Sequence, residues 1–357
     1  MIAVRQGEKK IIIGTHRAVF LPFYNLTNII IDDEGSFSHK SWDMAPRLHN
    51  RDAALILAKY YGAKTFILGH SPTAETYFFT KEKIYNGDIK QIPDLIREHE
   101  IVKMSDEKKS GNYSAISETL AKNIKDTTGS IFLFVNRKGT MNYVGCKDCD
   151  EVLRCPNCQR SLTYYRGTGT LECRWCSFKK EMSATCPKCG GTNIAMYGAG
   201  IETIESELKR MLPNDQRKII RIEQDGDNLK SINFNESQII IGTQYAWQHI
   251  DWKNLKLFAV VDADSSLFVP EFKTIENIWH LLRDAFYRAA TNIPIIIQTN
   301  YSNHIIFQSL TRPEMFYKQE LAQRKLFSYP PFNFILKLFF GHLSKQVAEQ
   351  EAERVYR

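Results

Sequence analysis

Eight cysteines, all between residues 146 and 189, are the side chains in this 357-residue sequence best suited to chemistry. They form four Cys-x-x-Cys pairs: Cys146/Cys149, Cys155/Cys158, Cys173/Cys176 and Cys186/Cys189. A two-residue gap lets both thiolates of a pair face one ion from a tight turn, and two pairs complete a tetrahedral zinc site. Eight thiolates therefore predict two closed, structural zinc ions with no open coordination position. The inner pairs are 14 residues apart, close to ribbon spacing. That assigns Cys155, Cys158, Cys173 and Cys176 to one ion and leaves Cys146, Cys149, Cys186 and Cys189 for the other. Side-by-side pairing stays open, although only five residues then separate the first two pairs. Disulfides are the competing reading. The N-terminus shows no charged-then-apolar leader, and regular spacing in a reducing, cytoplasmic setting favours metal.

The same stretch could meet nucleic acid. Positive charge follows a phosphate backbone, and flat aromatic rings stack on unpaired bases. The candidates are Arg160, Tyr164, Arg166, Arg174, Trp175, Lys179 and Lys180. Between Cys146 and Cys189 eight basic residues stand against five acidic ones, a net charge of only +3. The plainer alternative is that the aromatics fill a small core and the ribbon is a scaffold.

The elements that must position this stretch are short Ile/Val/Leu/Phe runs ending in small polar or acidic turns. They are Lys10–Thr15, Asn28–Glu34, Thr65–Gly69, Ser130–Asn136, Lys218–Glu223, Gln238–Thr243, Leu257–Asp262 and Pro294–Thr299. Unbroken apolar runs of this length predict parallel strands buried on both faces. Helical stretches intervene, at Arg51–Tyr61 and Ile201–Met211, so the fold class is α/β. A further strand is expected over Ile335–Phe340, after the turn Tyr329-Pro330-Pro331-Phe332. The polar run Ser105–Asn112 reads as a linker.

The expected organisation is a partial first α/β lobe over 1–104, then a linker and helix over 105–128. A second lobe follows over 129–300, with the ribbon 146–189 inserted, and a C-terminal domain begins in 301–357. Hydrophobic content of 43% and charged content of 24% are ordinary for a globular protein. No apolar run approaches the ~20 residues that span a bilayer, so no membrane role is expected. A net charge of +7 permits a nucleic-acid partner without requiring one.

These residues, taken in order, resemble the helicase portion of the primosomal protein N′ (PriA) family, superfamily-two helicases of bacterial replication restart. Gly14-Thr15 with Phe20-Leu21-Pro22-Phe23, the acidic run Asp32-Asp33-Glu34, and Pro46-Arg47 with His49 and Arg51-Asp52 carry the first part. The cysteine insertion after Phe134–Arg137, Ile241-Gly242-Thr243-Gln244, Val261-Asp262-Ala263-Asp264 and Tyr329–Phe332 carry the rest. The resemblance implies two RecA-like helicase lobes, the first one incomplete here, and the nested pairing of two zinc sites. It also implies ATP with Mg²⁺ as cofactors. Branched or single-stranded DNA, single-strand-binding protein and other primosome proteins are the implied partners.

The motor motifs depart from that family. No G-x-x-x-x-G-K-[ST] phosphate loop occurs in the sequence. Gly62-Ala63-Lys64-Thr65 imitates its end but leaves a helix for a strand, the reverse of the required order. The family's acidic motif ends in histidine where Gly35 stands. Arg288 matches the family's first motif arginine, and Thr291 stands where the finger arginine belongs. Such a finger contributes ~10³–10⁵ in rate in related nucleotidases. Asp32, Asp33, Glu34 and Arg288 are therefore remnants of a motor, or simply a solvated strand end and a surface helix residue.

Three functions remain. One is a DNA-binding replication-restart protein without a working motor. Another is an active ATP-dependent 3′–5′ DNA helicase completed by a missing N-terminal part. The third is a zinc-ribbon module that binds proteins.

Overall fold

The computed structural model describes residues 2–356 except 41–47, 91–97, 136–142, 147, 150, 158–161, 166–167, 174–177, 198–199, 224–228, 230–231, 268–270, 337, 339 and 341–343. Thirteen strands occur among the described residues. They are β1 (Asn28–Ile31), β2 (Lys64–Ile67), β3 (His99–Lys103), β4 (Ser130–Val135), β5 (Tyr143–Cys146), β6 (Thr163–Tyr165) and β7 (Thr170–Glu172). There follow β8 (Lys179–Glu181), β9 (Ile194–Tyr197), β10 (Lys218–Ile222), β11 (Gln238–Gly242), β12 (Leu255–Asp262) and β13 (Ile295–Thr299).

The largest sheet has six strands in the order β10-β11-β4-β12-β13-β3, all parallel. Its apolar runs bury side chains alternately on its two faces, as the period of two requires. On β4, Phe132 and Phe134 join the core that contains Trp279, Phe286 and Phe316, while Ile131, Leu133 and Val135 join the one with Leu120, Ile204 and Leu208. Helices therefore cover both faces: Thr274–Arg288 and Pro313–Leu326 on one side, Glu118–Asp126 and Ile201–Met211 on the other. Trp279 stacks on Phe316 with ring centroids 4.1 Å apart.

A smaller parallel pair, β1–β2, precedes it, with Ile30 opposite Phe66. The helix Asn50–Tyr61 buries Ala54 and Ala58 and ends at Gly62, whose φ of 66° is the left-handed geometry glycine tolerates best. That end carries the negative pole of the helix dipole, so the Gly62–Thr65 stretch is no phosphate cradle.

Three expectations need correcting. Lys10–Thr15 and the described part of Ile335–Phe340 form no strand, and Ile13, Phe334 and Leu336 are exposed. Their composition suits a buried strand, but among the described residues neither finds a neighbouring strand to bond. The expected linker is partly the helix Met104–Lys109, with Asp106 and Glu107 in its first turn and Lys108 and Lys109 in its last, the order the helix dipole favours. Finally, β3 pairs with β13, so the division placed after residue 104 cuts one strand from the larger sheet.

The cysteine stretch forms its own antiparallel sheet, β8-β7-β6-β5-β9, between β4 and the helix Ile201–Met211. Its core is small: Val144, Leu153, Cys155, Leu162, Leu171 and Cys173. No helix among the described residues is long and apolar enough to cross a membrane.

Candidate metal centre and the junction between the sheets

Strand β5 ends at Cys146, and the turn after it carries Cys149. The antiparallel pairing of β5 with β9 brings the Cys186–Cys189 turn alongside, with Cys146 opposite Ile194. The Sγ atoms of Cys146, Cys149, Cys186 and Cys189 all lie within 4.8 Å of one another. Cys146 and Cys189 are 3.5 Å apart at sulfur, Cys149 and Cys186 3.8 Å. A tetrahedron with Zn–S bonds of ~2.3 Å has S–S edges of about 3.8 Å, so the four thiols could hold a metal ion such as zinc. Backbone N–H groups of Cys189 and Lys188 at the Cys186 sulfur bring its thiol down to about 7, whereas burial pushes the Cys146 thiol up and, against the Glu151 N–H, burial and the neighbouring thiols push Cys149 up to about 12. Of the inner set, Cys155 and Cys173 are buried in the ribbon core. Cys158 and Cys176 lie outside the described residues.

The nucleic-acid candidates divide similarly. Arg160, Arg166, Arg174 and Trp175 lie outside the described residues. Tyr164 packs against the ribbon core, Lys179 pairs with Glu172 at 2.9 Å, and half-buried Lys180 lies on β8.

At the C-terminal end of β1 the three acids part company. Asp32 is exposed, Asp33 half-buried, and Glu34 only 2% exposed. Arg51 Nη1 donates to Glu34 at 2.9 Å, Thr73 donates from both N–H (3.1 Å) and Oγ1 (2.8 Å), and Thr76 Oγ1 donates as well. Glu34 is thus a fully satisfied structural carboxylate, not a solvated strand end. Burial first, then Asp284, pushes the Asp33 carboxyl up, while Arg288, His280 and His39 offset part of the rise.

The helix Thr274–Arg288 supplies the other side of this junction. Arg288 donates from Nε to both oxygens of Asp284 at 2.7 Å, and Trp247 Nε1 donates to the same carboxylate at 2.7 Å. His280 packs its ring over Gly35: a Cβ there would lie 3.2 Å from His280 Nδ1.

Sequence reasoning passed over the strongest ionic feature. Arg324 donates to Glu276 (2.8 Å) and Glu320 (2.7 Å) and lies 3.3 Å from Glu75. Arg283, also fully buried, donates to Ser71 Oγ at 2.9 Å and to the Leu310 carbonyl at 2.6 Å. The loop after β2 is thereby held to both covering helices, and Tyr77 stacks on Tyr317 with centroids 4.0 Å apart. The only sequence trace was the i,i+4 spacing of Glu320 and Arg324.

A large parallel sheet interrupted by a cysteine ribbon, four of whose thiols cluster closely enough to hold a metal ion, defines an α/β protein with an inserted cysteine module. No protein-family model matches the chain. It is 31% identical to the replication restart protein PriA of Bacillus subtilis, over 99% of its own length and 46% of that protein. It is 33% identical to the PriA of Borreliella burgdorferi over 98% of its length and 54% of the relative. For the PriA of Haemophilus influenzae the figures are 29%, 92% and 47%. The chain is similar to PriA replication restart proteins over nearly all of its own length, and spans about half the length of the curated relatives it matches.

Proposed function

We propose that this chain is a DNA-binding protein of replication restart, built on RecA-like helicase lobes and carrying two structural zinc ions. The observation that carries this reading is kinship over 99% of the chain with a protein named for replication restart. The first zinc is held by Cys146, Cys149, Cys186 and Cys189. The second is assigned to Cys155, Cys158, Cys173 and Cys176. A closed Cys₄ ion contributes folding free energy and no reaction. The chain's own residues do the rest: the ribbon's basic side chains meet phosphate, and the sheets hold the ribbon in place.

The motor is idle in this reading. Phosphoryl transfer needs a phosphate loop and a free arginine aimed at the transferred group. Thr291 stands where the finger belongs, and Arg288 is tied to Asp284. Glu34 is committed to Arg51 and Thr73.

Equilibrium binding of a labelled fork and a blunt duplex tests this, with ATP hydrolysis followed on the same samples. The expected result is tighter binding of the fork and no DNA-stimulated turnover. Absence of fork binding at low salt overturns the DNA reading, and turnover by the chain alone overturns the idle motor. The packing of Tyr164 and the Lys179–Glu172 pair favour a second reading, a ribbon that docks proteins such as single-strand-binding protein. Capture of that protein persisting after nuclease treatment would select it.

A further inference from the structure

Four thiolates hold a divalent ion well once it is in place, but they must take it from water, where oxygen atoms surround it. Carboxylate oxygen is the protein ligand nearest in kind to that shell, and zinc accepts it at ~2.0–2.2 Å. The four-cysteine cluster offers such an exchange one open corner. Cys146 and Cys186 are buried and Cys149 half-buried, whereas Cys189 is exposed.

A carboxylate stands at that corner. Asp148, itself exposed, places Oδ2 3.9 Å from the Cys146 Sγ, and its N–H donates to the same sulfur at 3.4 Å. Asn193 Nδ2 donates to the other oxygen, Oδ1, at 3.3 Å, which leaves Oδ2 turned toward the thiols. Gly191 makes the space for it: a Cβ there would meet Asp148 Oδ2 head-on and lie 3.2 Å from the Cys189 Sγ. The oxygen therefore borders Cys146 and Cys189, one sulfur from each turn. It is not a fifth corner, because the close-set group consists of the four sulfurs. Glu151, the next described acid, is engaged elsewhere, accepting from Lys188 Nζ at 2.7 Å.

We propose that Asp148 is the entry ligand of the Cys146–Cys189 site: its carboxylate takes a divalent ion from solvent at the Cys189 corner, passes it to the four thiolates, and serves the same path outward. The inference rests on the zinc reading of that site given above. A group that stabilises only the half-transferred ion lowers the barrier in both directions. Asp148 therefore sets the rate of exchange and leaves the affinity alone.

The test adds isotopically enriched zinc in excess to the zinc-loaded full chain and follows the bound isotope by native mass spectrometry. Affinity is measured on the same samples by competition with a chromophoric chelator. Asp148→Asn removes the charge while keeping the backbone N–H at Cys146 and an oxygen for Asn193. One exchange phase should slow about tenfold, with affinity within about twofold of the parent. Glu181→Gln takes the same charge from β8, three strands away from β5 in the ribbon sheet, and should exchange at the parent rate. Parent-like exchange in Asp148→Asn overturns the proposal, and so does equal slowing in Glu181→Gln, which would be a general effect of charge. A tenfold loss of affinity in Asp148→Asn makes the residue a structural prop and overturns it as well. A parent chain that holds no zinc overturns the zinc reading itself and this inference with it, so the two failures are distinguishable.

Discussion

Arg324 and Glu276 meet 48 residues apart in sequence, nitrogen to oxygen 2.8 Å, with side chains 2% and 1% exposed. Burial alone would raise the Glu276 carboxyl, but Arg324, with His280 and Lys273 behind it, holds it well below the usual carboxylate range. Glu276 also accepts from the Ala74 N–H. The pair therefore ties the start of the helix Ala74–Lys81 to both helices that cover the larger sheet.

Removing one partner should cost far more than a surface pair would. Arg324→Met leaves Glu276 buried and uncompensated, with Glu75 and Glu320 beside it, a loss of about 3–5 kcal/mol. Urea denaturation should show a lower midpoint, whereas Arg354→Met, in an exposed pair with Glu351, should leave it unchanged. Equal effects from the two would contradict the assignment.

Acid should weaken the junction in a defined window. Burial, then His280, Arg283 and Arg288, lowers His70 from 6.5 to about 3. Burial, then Arg51, lowers His49 to about 4. Below pH 6.5 the unfolded chain binds protons that these folded rings refuse, so stability is full above 6.5 and falls toward pH 4 and below. From pH 7.5 to 5.0 each histidine contributes a loss of up to about 2 kcal/mol. Denaturation at the two pH values checks this, and His70→Gln should flatten the difference. Stability that rises on acidification would refute it.

Restoring the family's histidine at position 35 should not be silent. A side chain there meets the His280 ring at 3.2 Å, and His280 is buried. Gly35→His should destabilise by about 1–3 kcal/mol, as overpacking does. His280→Ala in the same chain should return part of that loss. Additive losses in the double variant would show that the two positions do not compete for space.

The cysteine turn offers a compositional test. Cys146→Ser removes one corner of a four-sulfur cluster. It should lower bound metal by one equivalent and loosen the ribbon, whose core among the described residues is six side chains. The parallel sheet has separate cores, so far-ultraviolet circular dichroism and the main unfolding transition should persist. Collapse of the whole fold would mean the ribbon is not an independent insertion.

Much of this was readable before any coordinates. Two-residue cysteine spacing places thiols together wherever the chain runs, and β4, β11, β12 and β13 are apolar runs too continuous for half-exposed strands. What escaped depends on distant partners. Ile11–Ile13 has strand composition but pairs with no strand among the described residues, and β3 gives no local sign that it pairs with β13. Glu34, Arg283 and Arg324 look like surface charges until the elements meeting them are assembled. Arg288 matched a motif position, yet its partner is Asp284 one turn earlier on its own helix.

The central proposal is that this ribbon-bearing chain grips DNA through phosphate contacts. Fork affinity across a salt series tests it most directly. Neutralising about three phosphates, in line with the ribbon's net charge of +3, gives a log–log slope of about −2.7, at −0.9 per phosphate. A flat slope, or no binding at the lowest salt, would contradict the account.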